Sequence, residues 1–294
     1  MPVFKIDGTK VKQLKKDFFS KERGLQNFCE NNLLEIFGVR FIKTEHVTGE
    51  KHAGRIDSLG LDEDGNPVII EYKKREDENI INQGLFYLDW LIDHKGDFTV
   101  LAQNKLGTNT EISWDQPRVI LIANSYSKYD KHAINQMPQN LELWSYILYE
   151  NGVFSIERVG DSEIQKEMKP GKKYKDKNAD KKFNLEYHRS KSTKELVGIY
   201  DTIRERILEL SGVEERSEQK SGVSYKTTKS FARFEFNKNS INMLVRSAKY
   251  IDPKKLVRDV TSFEWGYKGS VKIIEKMDAD ELFWIVKQSY EETL

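Results

Sequence analysis

Residues 54–73 constrain the fold more than any other stretch, because two strand-like runs there each carry an acid and are separated by a turn. In Pro67-Val68-Ile69-Ile70-Glu71-Tyr72-Lys73 the side chains alternate, so Glu71 and Lys73 share one face while Val68, Ile70 and Tyr72 take the other. The apolar face is expected to pack and the other to carry chemistry. Upstream, Gly54-Arg55-Ile56-Asp57 enters a second strand, and Glu63-Asp64-Gly65 fits a three-residue hairpin loop with Gly65 in the left-handed position. A loop centred on Asp64 pairs Asp57 with Glu71, roughly 5 Å apart at Cβ.

Two like charges opposed on a sheet repel unless something neutralises them, which points to a bound cation. Carboxylate oxygens suit Mg²⁺ or Mn²⁺, with one or two carboxylates completed by water and substrate phosphate. Asp57 and Glu71 are the expected metal ligands. Lys73 stands where it can hold an attacking water or balance the negative charge that develops on phosphorus. A surface hairpin with a solvated polar face is the alternative for this pattern taken alone.

The aspartate followed by a spaced acid-x-lysine resembles the PD-(D/E)XK nuclease superfamily, with Ile56 where the name-giving proline would stand. Two flanking segments extend the resemblance. Leu25 to Leu34 looks like the preceding core helix, in which Glu30 matches an extra acid of the family, at the border of a stripe formed by Leu25, Phe28, Leu33, Ile36 and Phe37. Gln83-Gly84-Leu85-Phe86-Tyr87 looks like the Q-x-x-x-Y element of the RecB-like branch, and Asn79, Gln83 and Tyr87 fall on one helix stripe. In this order the motifs resemble the branch of archaeal and actinobacterial endonucleases that act on mismatched or branched DNA. The resemblance implies an α/β fold of restriction-endonuclease type, a mixed sheet flanked by helices. It implies Mg²⁺-dependent phosphodiester hydrolysis, DNA favoured over RNA, with Asp57, Glu71, Lys73, Glu30 and Gln83 as the catalytic set. Arg55 reads equally as a phosphate contact or as an ion-pair partner, and Tyr87 is a candidate nucleic-acid contact.

At 294 residues the chain can bury two cores. A net charge of +1 with 32% charged residues gives no global basic bias, so any phosphate-binding surface must come from local segregation of charge. The single Cys29 sits in the apolar stripe of the first helix and excludes an internal disulfide. With no leading signal-type segment and no apolar run of spanning length, a cytoplasmic protein without membrane contact is expected. The five histidines are scattered without metal-ligand spacing.

Beyond the hairpin, a helix is expected from about Glu76 to His94 and another from Lys128 to Gln136. Strands are expected at Phe98–Ala102, Pro117–Ala123, Leu141–Tyr149 and Val153–Val159. These complete a first domain, residues 1–159. Residues 160–191 read as a Lys-rich linker in which Lys172, Lys173 and Tyr174 interleave bases with an aromatic, either a solvated tether or a nucleic-acid contact. Residues 192–294 read as a small α+β domain: a helix capped by Thr193, strands at Gly222–Lys226, Phe231–Phe236, Ser240–Ser247 and Val271–Met277, and a helix from Asp278 to Glu292. Through Ile199-Tyr200, the Phe231 to Phe236 strand, Arg258-Asp259-Val260, Trp265-Gly266 and Gln288-Ser289-Tyr290, this segment resembles an uncharacterised domain family found alone or appended to such nucleases. Arg233 and Trp265 belong to a possible basic, aromatic face for bases or a protein partner, against the alternative that strand aromatics form the core. Three readings follow: a cutting enzyme, a binding module that keeps the fold without cutting, and a nuclease activated by a protein partner; a homodimer is the further partner expectation.

Overall fold

The computed structural model describes residues 2–49, 53–74, 79–134, 141–159, 183–261 and 266–294. Strands β1 (Phe4–Asp7) and β2 (Lys10–Gln13) form a separate hairpin. There follow β3 (Lys16–Asp17), α1 (Glu22–Phe37), β4 (Arg40–Val47), β5 (Arg55–Leu61), β6 (Pro67–Lys73), α2 (Ile80–Asp93), α3 (Lys95–Leu106), β7 (Arg118–Ala123), α4 (Lys128–Ala133), β8 (Leu141–Tyr149) and β9 (Val153–Arg158). Their strands make one mixed sheet in the order β3-β8-β7-β6-β5-β4, with β9 also paired to β8. Strands β6, β7 and β8 are parallel, and the other pairings are antiparallel.

Parallel strands flanked by helices are buried on both faces. On one face Leu25, Cys29, Leu33 and Phe37 of α1 pack on Val68, Ile70, Tyr72, Ile120 and Ile122. On the other, Ile80, Trp90 and Leu91 of α2 and Phe98 of α3 pack on Leu59, Ile69, Val119 and Leu121. The face that carries Glu71 is therefore also core at Ile69, and the expected polar face is confined to the carboxyl end of β6. The 98–102 segment is helical rather than a strand. Phe98 and Ala102 are buried one turn apart, whereas Val100 is 58% exposed, and the Thr99 hydroxyl bonds the Lys95 carbonyl at 2.8 Å. A short β-branched run on a helix surface is ambiguous by periodicity alone.

The second half comprises α5 (Leu185–Arg189), α6 (Lys194–Leu208), β10 (Glu214–Arg216), β11 (Val223–Lys226), β12 (Ser230–Asn237), β13 (Ser240–Val245), β14 (Arg258–Asp259), β15 (Gly269–Ile273) and α7 (Ala279–Glu291). Its antiparallel sheet has the order β10-β11-β12-β13-β15-β14. Thr193 caps α6 by accepting the Leu196 amide at 3.4 Å. Tyr200, Ile203, Ile285 and Val286 of the two long helices pack on Val223, Tyr225, Phe234 and Met243. Alternation then turns Ser224, Lys226 and Arg233 to the opposite face, which meets the first sheet. There the tip of the β5–β6 hairpin is held: Asp64 accepts from Ser224 and Gln219 at 3.1 Å each, and Glu63 accepts the Ser230 amide at 2.7 Å and pairs with Arg246. Beside it, Glu142 takes Arg118 at 2.9 Å and Lys226 at 3.2 Å, and Arg118 reaches Asp62 at 3.4 Å, all nearly excluded from solvent.

Arg233 therefore lies in this seam rather than on a free basic face. It is 8% exposed, 3.0 Å from Glu235 and 3.8 Å from Asp64, and its guanidinium lies 5.0 Å from the Tyr267 ring centre. Lys172, Lys173, Tyr174 and Trp265 lie outside the described residues. Within the segment read as a linker, α5 is folded, with His188 fully buried and hydrogen-bonded to the Ser217 carbonyl at 3.1 Å. Among the described residues, no helix is long and apolar enough to cross a membrane.

Candidate active site

The β5–β6 register brings Asp57 and Glu71 together. Ser58 pairs with Ile70 and Leu61 with Pro67. The loop closes with the Asp62 amide donating to Asn66 at 2.9 Å, the Gly65 amide donating to Asp62 at 3.0 Å, and Gly65 at φ +79. One step beyond Ser58, the Asp57 amide donates to Glu71 Oε1 at 3.0 Å, and the Tyr72 amide donates to Asp57 Oδ2 at 3.0 Å. Each carboxylate is thus fixed by a backbone amide of the opposite strand.

Burial dominates the electrostatics. Glu71 is 2% exposed, and burial followed by the charge of Asp57 pushes its carboxyl up to about 9. Burial also raises Asp57; the Tyr72 amide and Lys73 oppose the shift, and Glu22 and Glu45 add to it. Lys73 Nζ lies 3.7 Å from Glu22, whose other oxygen accepts the Lys74 amide at 3.1 Å. One ammonium therefore faces an excess of acids.

Glu22 and Glu45 are the residues that the sequence reading missed. Glu22 opens α1 three residues before the expected helix start, and it is this end of the helix that reaches Lys73. Glu30 lies eight residues further, roughly 12 Å along the axis. Its Oε1 accepts from Ser58 at 2.7 Å and Gln26 at 3.0 Å, which ties it to the strand's inner face. Glu45 has a left-handed backbone, φ +51, within a β4 strand that also shifts register between Phe41 and Lys43. Its carboxylate bridges Arg23 and Arg55 at 2.7 Å each. Arg55, for which two readings were open, is ion-paired here and still 62% exposed at its side chain. Glu22, Arg23, Gln26, Glu45, Arg55 and Asp57 line a cleft of about 330 Å³.

Helix α2 closes the site. The Tyr87 hydroxyl accepts the Arg55 amide at 3.2 Å, and its ring lies against Gly54, where a Cβ would come within 2.7 Å. That approach requires glycine at position 54. One turn earlier on the same stripe, Gln83 Oε1 is buried with no hydrogen-bond partner. Among the described residues, no group of three or more His, Cys, Asp or Glu side chains is gathered closely enough to hold a metal unaided. The donor set nonetheless fits a hard divalent cation: two fixed carboxylates with oxygen donors, in surroundings that disfavour their charge until a cation joins them.

Residues 186–293 match the model of a family described as a domain of unknown function, DUF5655. An uncharacterized protein of Haemophilus influenzae is 24% identical over 278 residues, 90% of this chain and 91% of that protein. Among solved structures, a repair endonuclease from Pyrococcus abyssi is similar at 25% identity with a TM-score of 0.29, over 44% of this chain and 48% of that one. A complex of EndoMS with double-stranded DNA is similar at 20% identity with a TM-score of 0.24, over 43% and 47%. The chain thus spans about half the length of these two structures, and at such TM-scores neither likeness bears on the fold or the chemistry.

Proposed function

We propose that the chain is a metal-dependent nuclease of PD-(D/E)XK type that hydrolyses phosphodiester bonds in DNA. The observation that carries this reading is the interlocked Asp57–Glu71 pair beside Lys73, with Asp57 lining a cleft that also holds Arg23 and Arg55. Asp57 and Glu71 would hold Mg²⁺ or Mn²⁺. When bound, the ion supplies Lewis acidity at the scissile phosphate and a water of lowered pKa.

The remaining work falls to side chains. Lys73, oriented by Glu22, donates a hydrogen bond to the attacking water or to a phosphoryl oxygen as charge develops there. Arg23 and Arg55 present guanidiniums to the neighbouring phosphates, the planar fork being suited to that anion. Glu45 holds both at one spacing before substrate enters. Tyr87 fixes the backbone at Arg55 and so the entry into β5. The buried Gln83 oxygen is a further acceptor for an ordered water.

The test incubates purified protein with labelled single-stranded, duplex, mismatched and branched DNA, and with RNA, in Mg²⁺, Mn²⁺ or chelator, beside the Asp57→Ala variant. Metal-dependent cleavage that disappears in the variant is the expected result. Metal-dependent binding without cleavage by wild type would favour a recognition module that keeps the fold. Cleavage that starts only when a cell extract fraction is added would favour activation by a partner.

A further inference from the structure

The β1–β2 hairpin stands at the same end of the sheet as Lys73. Lys73, Ala123 and Ser145 share one level across β6, β7 and β8, and β8 runs on to Tyr149, roughly 13 Å further at the rise of a strand. Along that overhang Leu148 and Tyr149 pair with Asp17 and Lys16 of β3. The Glu150 amide donates to the Lys15 carbonyl at 2.9 Å, and Lys12 lies 3.6 Å from Glu150. Buried Leu14 anchors the root.

Beyond that root every residue of β1 and β2 is exposed. The register sorts Phe4, Ile6, Val11 and Gln13 to one face and Lys5, Asp7, Lys10 and Lys12 to the other. Phe4, Ile6 and Val11 are 50%, 73% and 66% exposed. A two-stranded hairpin with neither face covered is marginal in water, so its sorted faces call for a partner. Charge identifies the partner's chemistry. The whole chain has a net charge of only +1, yet residues 2–21 carry six lysines against two aspartates. A polyanion matches that segregation, whereas a second copy packed on the apolar face would leave the lysine face without a counter-charge.

We propose that this hairpin is a nucleic-acid clamp that holds the duplex flanking the Asp57–Glu71 cleft. Set edge-on in a groove, the hairpin turns its two faces to opposite walls: Lys5, Lys10 and Lys12 engage the backbone phosphates of one strand, and Phe4, Ile6 and Val11 pack against the sugars of the other. The clamp rests on the nuclease reading above.

The test measures duplex DNA binding by fluorescence anisotropy on the full chain carrying Asp57→Ala, which blocks cutting, from about 0.05 to about 0.3 M salt. Adding Lys5→Ala, Lys10→Ala and Lys12→Ala is expected to weaken binding about tenfold or more and to flatten the slope of log K against log salt by about 0.9 per lysine. Adding Phe4→Ser, Ile6→Ser and Val11→Ser instead is expected to weaken binding with the slope unchanged. Thermal melts report that both variants remain folded. If wild type cuts DNA while both variants bind like the parent, the clamp is overturned and the nuclease reading stands. If wild type neither binds nor cuts, both fall. A dimer seen by light scattering that dissociates in the serine variant, with DNA affinity intact, would assign the hairpin to self-association and overturn the clamp.

Discussion

Glu71 sits where a neutral carboxyl is favoured, and this has consequences for stability and for metal affinity. Burial and Asp57 raise it from 4.5 to about 9, so the folded chain keeps a proton that the unfolded chain releases. The stability contributed by that proton is complete below the ordinary glutamate value and is lost as pH rises toward about 9. Metal-free protein is therefore predicted to melt at progressively lower temperature across that window, and Glu71→Gln to melt higher than wild type above neutral pH without metal. A divalent ion competes with the same proton, so Mn²⁺ affinity measured by calorimetry should rise with pH over the same range. Gly54→Ala would set a Cβ 2.7 Å from the Tyr87 ring. It should cost about 1–3 kcal/mol in denaturant unfolding, and less when measured in a Tyr87→Ala background. Asp57, Glu71 and Lys73 are legible in the sequence because hairpin symmetry about Asp64 and strand alternation set their positions. Glu22 is not, since it depends on how far α1 extends upstream, and Glu45 depends on a left-handed residue in a strand that has no glycine to announce it.

The β5–β6 hairpin is held at both ends, by the interlocked Asp57 and Glu71 carboxylates at one and by the second sheet at the other. Its tip, Asp62 to Asp64, looks like a solvated turn in sequence, yet Asp62 and Glu63 are 3% and 7% exposed. Strand length and turn type are local and were readable. The burial of that acidic tip depends on Arg118, Arg216, Lys226, Arg233 and Arg246, most of them in the other half of the chain and invisible to local patterning. The 98–102 helix was missed for a related reason: tertiary packing of Phe98 and Ala102 overrides β-branched propensity. Glu142 is fully buried among Arg118, Arg216 and Lys226. Glu142→Ala removes the carboxylate that pairs with Lys226 and leaves Arg118 and Arg216 to Asp62 and Glu214, and is predicted to destabilise by about 3–5 kcal/mol, read from the shift in denaturant midpoint.

The whole molecule sorts its charge by position. Acids and bases at the amino ends of β6, β7 and β8 neutralise one another in the seam, while the acidic cleft and the lysine-bearing hairpin lie toward the carboxyl ends. That arrangement hides a basic region within a net charge of +1. The seam also joins the two sheets, so thermal unfolding of the intact chain is predicted to be one cooperative transition with equal calorimetric and van't Hoff enthalpies, where two separable domains would give two. The most direct test of the proposed chemistry is single-turnover cleavage of the best substrate by Lys73→Ala, alongside Mn²⁺ titration of the same variant. A rate reduced by about a hundredfold or more, with Mn²⁺ still bound through Asp57 and Glu71, is the predicted result. Cleavage by Lys73→Ala at the wild-type rate would contradict it.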